Sequence, residues 1–511
     1  MDLNKKLEEL KPYQLNCNVF DVYSYNGLTM QDLLCQFFTK INECITVSNE
    51  TIDLAKWLVN EGLEIEVVKK LMIWLEDGTL ENIINVNLFN TLNEKINGLS
   101  SQLEHNQNEL TKKANVTTND YTIYVNPQGN DNNDGLTVNT AFQTFKKAID
   151  SIPDIVNHHV KIKVGDGVYN QTYDLINGAS IENYPTGANK VIIGITNKKI
   201  NEGASILIEG NINKPGNVIL DGDNIADSGI YVLNTNRVNV RGVKITNCKG
   251  FTVNYKRYST GQLKDVIIDG GQYGLFSYQY SFVELQGNVQ INNATMYGIM
   301  AMTFGFVNIV GLTMNDNAGG LKVDEHGHIT LGGTTQNIFN NKGSSFAIER
   351  DGFIFAQNLK TNEKIGTINL GSLVLSQCDI TFKSFDHMLA VYNSTVRISN
   401  TKIKSGLTDV STITGLGIWT KRLGNIEIVD SVIEGFYQNI SVSGGGNVYI
   451  ENTDISNARY DGVNINGGTS YLKNVRSSTS NGRYGVRFVS GNYFDGGSNT
   501  IIGNQENQLP I

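Results

Sequence analysis

Two triplets carry the residue types best suited to chemistry, Asp324-Glu325-His326 and Glu349-Arg350-Asp351, and both fall at the same point of a repeating pattern. Paired carboxylates perform glycoside chemistry, one protonating the leaving oxygen while the other attacks the sugar or activates water. If Asp324 and Glu349 occupy one column of adjacent layers, they stand about 5 Å apart, the separation of a retaining pair. His326, with His328 two residues on, would tune one of the acids. A metal bound by Asp324, His326 and His328 requires alternate residues on one strand face. The plain alternative is a row of solvated acids at polar turns, which chance supplies in a chain with 50 acidic residues. No metal and no cofactor is expected.

Aligning the repeats by their glycines places three further triplets ahead of these: Asn254-Tyr255-Lys256, Tyr278-Gln279-Tyr280 and Met302-Thr303-Phe304. Aromatics followed by carboxylates along one strip suit a sugar polymer, with rings on apolar sugar faces and acids accepting hydroxyl hydrogen bonds. Tyr255, Tyr278, Tyr280, Glu325 and Asp351 are therefore candidate glycan-binding residues. Trp419, in "GIWTKRLG", either fills a core position or joins Lys421 and Arg422 in a glycan contact. Asn247, Asn293, Asn317 and Asn341 close successive units and are expected to stack as amide ladders.

The elements that position these residues follow from the period. Glycines opening similar strands stand at 229, 250, 274, 298 and 320, and the pattern resumes at Gly417, Asn439, Gly462 and Gly485. A unit of twenty-odd residues cannot bury its own apolar face, so stacking must do it. Short Val/Ile/Phe/Tyr strands broken by Gly and Asn fit a parallel β-helix with one coil every ~4.8 Å. Composition agrees: 52 Gly, only 6 Pro and 18% charged residues among 511. The net charge of −9 advertises no face for nucleic acid.

Ahead of the repeats, Ala141, Phe142, Phe145, Ala148 and Ile149 form a helical stripe after Thr140 as N-cap. Residues 139–151 are thus expected to cap the open first coil. "NDNNDG" at 130–135 offers oxygen ligands, but the twelfth loop position is Ala141 rather than a carboxylate, so a turn is preferred to a calcium loop. Leu33, Leu34, Phe37, Phe38 and Ile41, then Val67, Val68, Leu71, Trp74 and Leu75, have helical spacing, making residues 1–80 a helical domain. Phe89, Leu92, Ile96, Leu99, Leu103, Asn106 and Leu110 advance by alternating threes and fours, a heptad seam that makes 81–118 a stalk of two or three chains, or one amphipathic helix. Residues 119–220 form the cap and first coils, and 221–511 the main β-helix. Five scattered cysteines, Cys17, Cys35, Cys44, Cys248 and Cys378, indicate neither a disulfide framework nor a zinc site. No apolar run long enough to cross a membrane appears, and "MDLNKKLEELKPYQL" lacks a signal-peptide core.

"YVNPQGNDNNDGLTVNTAFQTFKKAIDSIP" followed by "KIKVGDGVYNQ" resembles the opening of pectate-lyase-like right-handed β-helices, as in many phage tail spikes. "WLEDGTLENIINVNLFNTLNEKI" resembles the segment joining virion anchors to fibres in phages of Gram-positive bacteria, including preneck appendages. The resemblance implies a mainly β fold, a homotrimer, a virion tail location after synthesis in the host cytoplasm, and residues 1–80 docked on other tail or collar proteins. It also implies adsorption to a host glycan such as wall teichoic acid or a capsule-like polymer. A depolymerase on the same scaffold and a purely structural spike are its alternatives. Pectin methylesterases share this kind of cap, but their catalytic motifs are absent; "DGFIFA" at 351–356 only approaches one of them.

Overall fold

The computed structural model describes residues 24–25, 28–29, 95–102, 116–175, 190–333, 337–382, 387–407 and 413–509. The chain divides into two compact units, residues 1–113 and 114–511. In the first, Ser24–Tyr25 pairs antiparallel with Leu28–Thr29, and residues 95–102 form a helix exposed along its length. The helices read at 33–41 and 67–75, and Cys17, Cys35 and Cys44, lie outside the described residues. Of the heptad seam, Ile96 and Leu99 are described, and both are exposed.

The second unit is a right-handed-type parallel β-solenoid of about 12 turns. Each coil lays one strand on each of three walls. Val160–Val164, Ile206–Glu209, Val238–Arg241 and Thr260–Lys264 stack in parallel to start the first wall. Gly167–Tyr169, Val218–Asp221, Lys244–Thr246 and Ile267–Asp269 start the second. Lys190–Thr196, Ser228–Leu233, Phe251–Lys256 and Tyr273–Tyr278 start the third. Side chains alternate across each strand, so Ile, Val and Leu point inward and repeat in register, coil on coil. Ile329, Leu331, Ile354 and Ala356 are among the fully buried members of one continuous core. Burying such a side chain contributes roughly 1.5–3 kcal/mol, and the total grows with every coil added.

The cap forms at 130–151 in two pieces rather than one. Val138–Thr140 is a 3-10 turn capped by Thr137, and Phe145–Asp150 is the helix, capped by the Thr144 hydroxyl accepting from the Lys147 amide. The Asp131 carboxylate accepts hydrogen bonds from the amides of Gln143 and Thr144, which breaks the helix between the two pieces. Thr140 is therefore not the helix N-cap. The expected apolar set does bury: Ala141, Phe142, Phe145, Ala148 and Ile149 close the first coil, with the helix packed on Tyr121–Val125 and Lys190–Thr196. Asp134 accepts from the Leu136 amide and the Thr140 hydroxyl, the bonding of a turn.

The expected amide ladder forms only in part. Asn317 donates to Asn341 across one coil at 2.7 Å, whereas Asn247 and Asn293 donate to Asp221 and Asp269. A separate outer ladder runs Asn340 to Asn315 to Asn292. Cys248 and Cys378 are free and buried, and burial pushes their thiols up to about 12 and about 11.

Glu363 is a buried acid at the turn into the third wall, bonded by the Asn341 amide and the Ser345 hydroxyl. Burial raises its pKa, and those hydrogen bonds offset this only in part. Its folded pKa lies above the unfolded one, so its stabilising contribution is complete at acid pH and is lost as pH rises through the folded pKa. Glu363→Gln is therefore expected to raise the melting temperature at pH 8 and to approach the wild-type value near pH 4, as read by thermal unfolding at both pH values.

Candidate functional site

The register of the third wall decides what each predicted residue does. Lys256 pairs with Tyr278, Tyr278 with Met302 and Met302 with Asp324. Alignment by Gly250 is therefore out of step by two residues in that coil, and Tyr255 stands opposite Ser277 on the inward side. Tyr255 is fully buried and its hydroxyl donates to the Val238 carbonyl at 2.8 Å. Its ring takes the volume above Gly261, where an added Cβ would fall 2.7 Å from it. Tyr255 is a core residue and not a glycan contact. Tyr278 lies half-buried on the outer face with Lys256 Nζ over its ring at 5.4 Å.

Asp324 and Glu349 do not form a free carboxylate pair. The Arg350 guanidinium grips Asp324 with Nε on Oδ1 at 2.6 Å and Nη2 on Oδ2, and reaches Glu325 with Nη1 at 2.8 Å. The Glu325 amide also donates to Asp324, whose side chain is only 3% exposed. Glu349 turns instead to Lys322, 3.4 Å away. Hydrogen bonding to Asp324 drives the Arg350 pKa up, so the cluster is a charge-assisted clamp between coils. His326 and His328 point to different neighbours. His326 stacks on Phe304, and His328 sits between the rings of Phe306 and Phe353 with its pKa lowered by burial. Among the described residues no group of three or more His, Cys, Asp or Glu is disposed to hold a metal.

The corner between the third and first walls carries what the triplets only bordered. Tyr258, Tyr280, Phe304, His326 and Asp351 hold one position in successive coils. The first four donate their amides to Gln279, Thr303, Glu325 and Arg350 carbonyls of the next coil at 3.0–3.3 Å. Tyr258, Tyr280, Phe304 and His326 form a stack with centroid separations of 5.3, 4.9 and 4.8 Å. The first three are 62%, 51% and 47% exposed. Two residues on, Phe282, Phe306, His328 and Phe353 make a second, half-buried file along the first wall. Ring faces in the outer stack largely meet one another, so solvent sees edges, hydroxyls and the parts of faces left by offset.

This corner is strained. The five successive coils from Tyr258 to Asp351 each turn through two consecutive left-handed residues, among them Tyr258 at φ 59°, Tyr280 at 60°, Phe304 at 59° and His326 at 62°. A bulky residue there is a genuine outlier, costing of order 1–3 kcal/mol. Two later coils make the same corner with Gly444-Gly445 and Gly467-Gly468, which adopt φ > 0 without that cost, while the coil before them keeps Arg422-Leu423 there. The next residue must be small: a Cβ at Gly327 would lie 2.1 Å from the Ala301 carbonyl oxygen. The legible signal is thus aromatic–small–aromatic, in Tyr280-Ser281-Phe282, Phe304-Gly305-Phe306 and His326-Gly327-His328. Glycine alignment stopped short of it and missed Tyr258, Phe282, Phe306 and Phe353.

Trp419 lies on the outer face of the third wall, half-buried. Its Nε1 donates to Ser443 at 3.0 Å, and Lys421 Nζ stands 5.0 Å from the ring. His387 and Tyr392 meet it edge-on. It is not in the core. Further along the first wall, Tyr449 and Tyr471 stack at 5.0 Å beside a shallow groove.

No family model matches this chain, and no curated protein matches it. Solved structures similar to it include a rhamnogalacturonan lyase at 13% identity, covering 67% of this chain and 75% of that one, with TM-score 0.24. A pectate lyase matches at 16% identity over 71% and 78%, with TM-score 0.24. A GH136 lacto-N-biosidase from Eubacterium ramulus matches at 9% over 91% and 77%, with TM-score 0.27. The strand register itself defines the β-solenoid.

Asparagine tolerates the left-handed region that tyrosine resists. Tyr280→Asn relieves strain but loses two ring contacts of about 0.5–1.5 kcal/mol each, so its net change in stability is expected within about 1 kcal/mol. Tyr255→Ala is expected to cost about 3–5 kcal/mol. Denaturant unfolding of the two variants checks both.

Proposed function

We propose that this protein is a phage tail appendage whose β-solenoid binds a host cell-surface glycan, a wall teichoic acid or capsule-like polymer, through its aromatic corner. One observation carries the reading: in three successive coils exposed aromatic rings occupy left-handed corner positions that glycine fills without strain in the coils of Gly444-Gly445 and Gly467-Gly468. Strain kept at a solvent-facing aromatic points to a use for the ring itself. Ring edges, tyrosine hydroxyls and Glu325 offer the mixed apolar and hydrogen-bonding surface that sugars require. Tyr280, Asp351 and, more distantly, Tyr278 and Trp419 remain candidate contacts, and Tyr258 and Phe304 join them.

Binding without cleavage is favoured because Asp324 is clamped by Arg350 and Glu349 is drawn to Lys322. A general acid must be able to hold a proton, and a nucleophile must be reachable. Virion attachment through residues 1–80 and trimer formation through the heptad seam belong to the same proposal. The exposed Ile96 and Leu99 support an oligomeric stalk, since such residues need a partner helix to bury them.

Purified full-length protein incubated with Gram-positive cell walls is expected to sediment with them while no sugar or phosphate is released. Phe304→Asn is expected to weaken retention by about threefold to tenfold, the value of one ring contact. Release over time, lost in Asp324→Ala or Glu349→Ala, would make the protein a depolymerase. Retention unchanged in Tyr280→Asn and Phe304→Asn would remove the corner from the binding site.

A further inference from the structure

A groove of about 340 Å³ runs along the first wall, beyond the aromatic corner. Thr395–Ser399, Asn425–Val429 and Asn447–Glu451 form its floor, and Tyr471 flanks it. Its charges are internally matched. Arg397 pairs with Glu427 at 2.8 Å, and Glu451 accepts from Lys473 at 2.8 Å and from the Tyr449 hydroxyl at 2.5 Å. Asn447 donates to Asn425 at 2.8 Å along the axis, which leaves the remaining amide N–H groups of this exposed ladder for a ligand. Beside the amides stand the Tyr449 and Tyr471 rings, parallel within 4°.

Register joins this groove to the corner. The outward file that begins at Phe282 and Phe306 passes through Phe353 and Ser372 to Thr395 and Asn425. A single coil, Ser372–Ser376, separates the last ring of that file from the groove. At ~4.8 Å per coil, the stretch from Phe282 to Thr469 measures about 40 Å.

We infer that the aromatic corner and the Thr395–Tyr471 groove are two halves of one track that holds an extended, uncharged glycan along the solenoid axis. The inference rests on the glycan-binding reading of the corner, adds to it a second site and a direction, and narrows its ligand to an uncharged wall or capsule-like polysaccharide, which excludes the polyanionic teichoic acid. Matched charges give a fixed-charge polymer no net attraction, whereas amides, hydroxyls and ring flanks suit the hydroxyl rim and C–H faces of neutral sugars. A polymer long enough to engage both halves binds the second from a high effective concentration, so affinity rises with chain length.

The test uses full-length protein and fragments of the wall polysaccharide that sediments with it, sized to about four and about eight sugars to match one half and the whole of a track about 40 Å long. Calorimetric titration is expected to give at least tenfold tighter binding for the long fragment, with little change on adding salt. Tyr449→Ala/Tyr471→Ala, and independently the exposed pair Asn425→Ala/Asn447→Ala, are expected to bring long-fragment affinity down towards that of the short one. Melting temperatures within a few degrees of wild type show that the variants are folded. Long-fragment binding that survives both groove variants but is lost in Tyr280→Asn would overturn the track while leaving the corner site intact. Steep salt dependence would overturn the uncharged ligand class. Binding of neither fragment would remove the corner reading and the track together.

Discussion

Everything in the solenoid depends on backbone register between coils. Parallel strands bonded about 4.8 Å apart carry each side chain directly over its counterpart one turn earlier. A residue type repeated at that interval becomes a column, whether of aliphatic side chains inside, amides at a turn or rings at a corner. The core holds register because a slip by one residue would turn every inward Ile and Val to solvent. Function then needs no separate scaffold. A surface strip is what the outward half of the same alternation leaves exposed.

The corner shows how this constraint can be spent on a surface. From Tyr258 to Asp351, two consecutive left-handed residues per coil tighten the turn so that the third wall feeds directly into the first. The small residue that follows, Gly327 in one coil and Ser281 in another, lets the backbone pass close to the previous coil. Tyr258, Tyr280 and Phe304 accept unfavourable backbone angles there, and stacking between neighbouring rings offsets part of the cost. Arg350 does comparable work for the acids, tying Asp324 and Glu325 of one coil to the next. Residues that look catalytic by type thus serve cohesion, and residues that look structural by type form the exposed strip.

Much of the fold was legible because its period was legible. Repeating glycines, strand composition and the apolar stripe at 141–149 pointed to a capped parallel β-helix, and the described residues form one. The break in the cap was hidden because Asp131 acts on amides twelve and thirteen residues away. The site was less legible. Glycine marks a strand opening only where the backbone needs it, and in the coil of Gly250 it stands two residues out of step with Gly274. That shift exchanged Tyr255, a core ring, for Tyr258, an exposed one. Charge pairing was hidden for a related reason: sequence placed Asp324 and Glu349 in one column but could not say that Arg350 would reach back to the first.

The most direct test of the central claim, that outward ring columns are the glycan-contacting surface, is hydroxyl-radical footprinting with and without wall polysaccharide. Selective protection of Tyr258, Tyr280 and Phe304 together with Tyr449 and Tyr471 is predicted, while exposed side chains off this surface, such as Ile212 at the turn between the first and second walls, stay unchanged. Protection confined to other surfaces, with these rings oxidised equally in both samples, would contradict it.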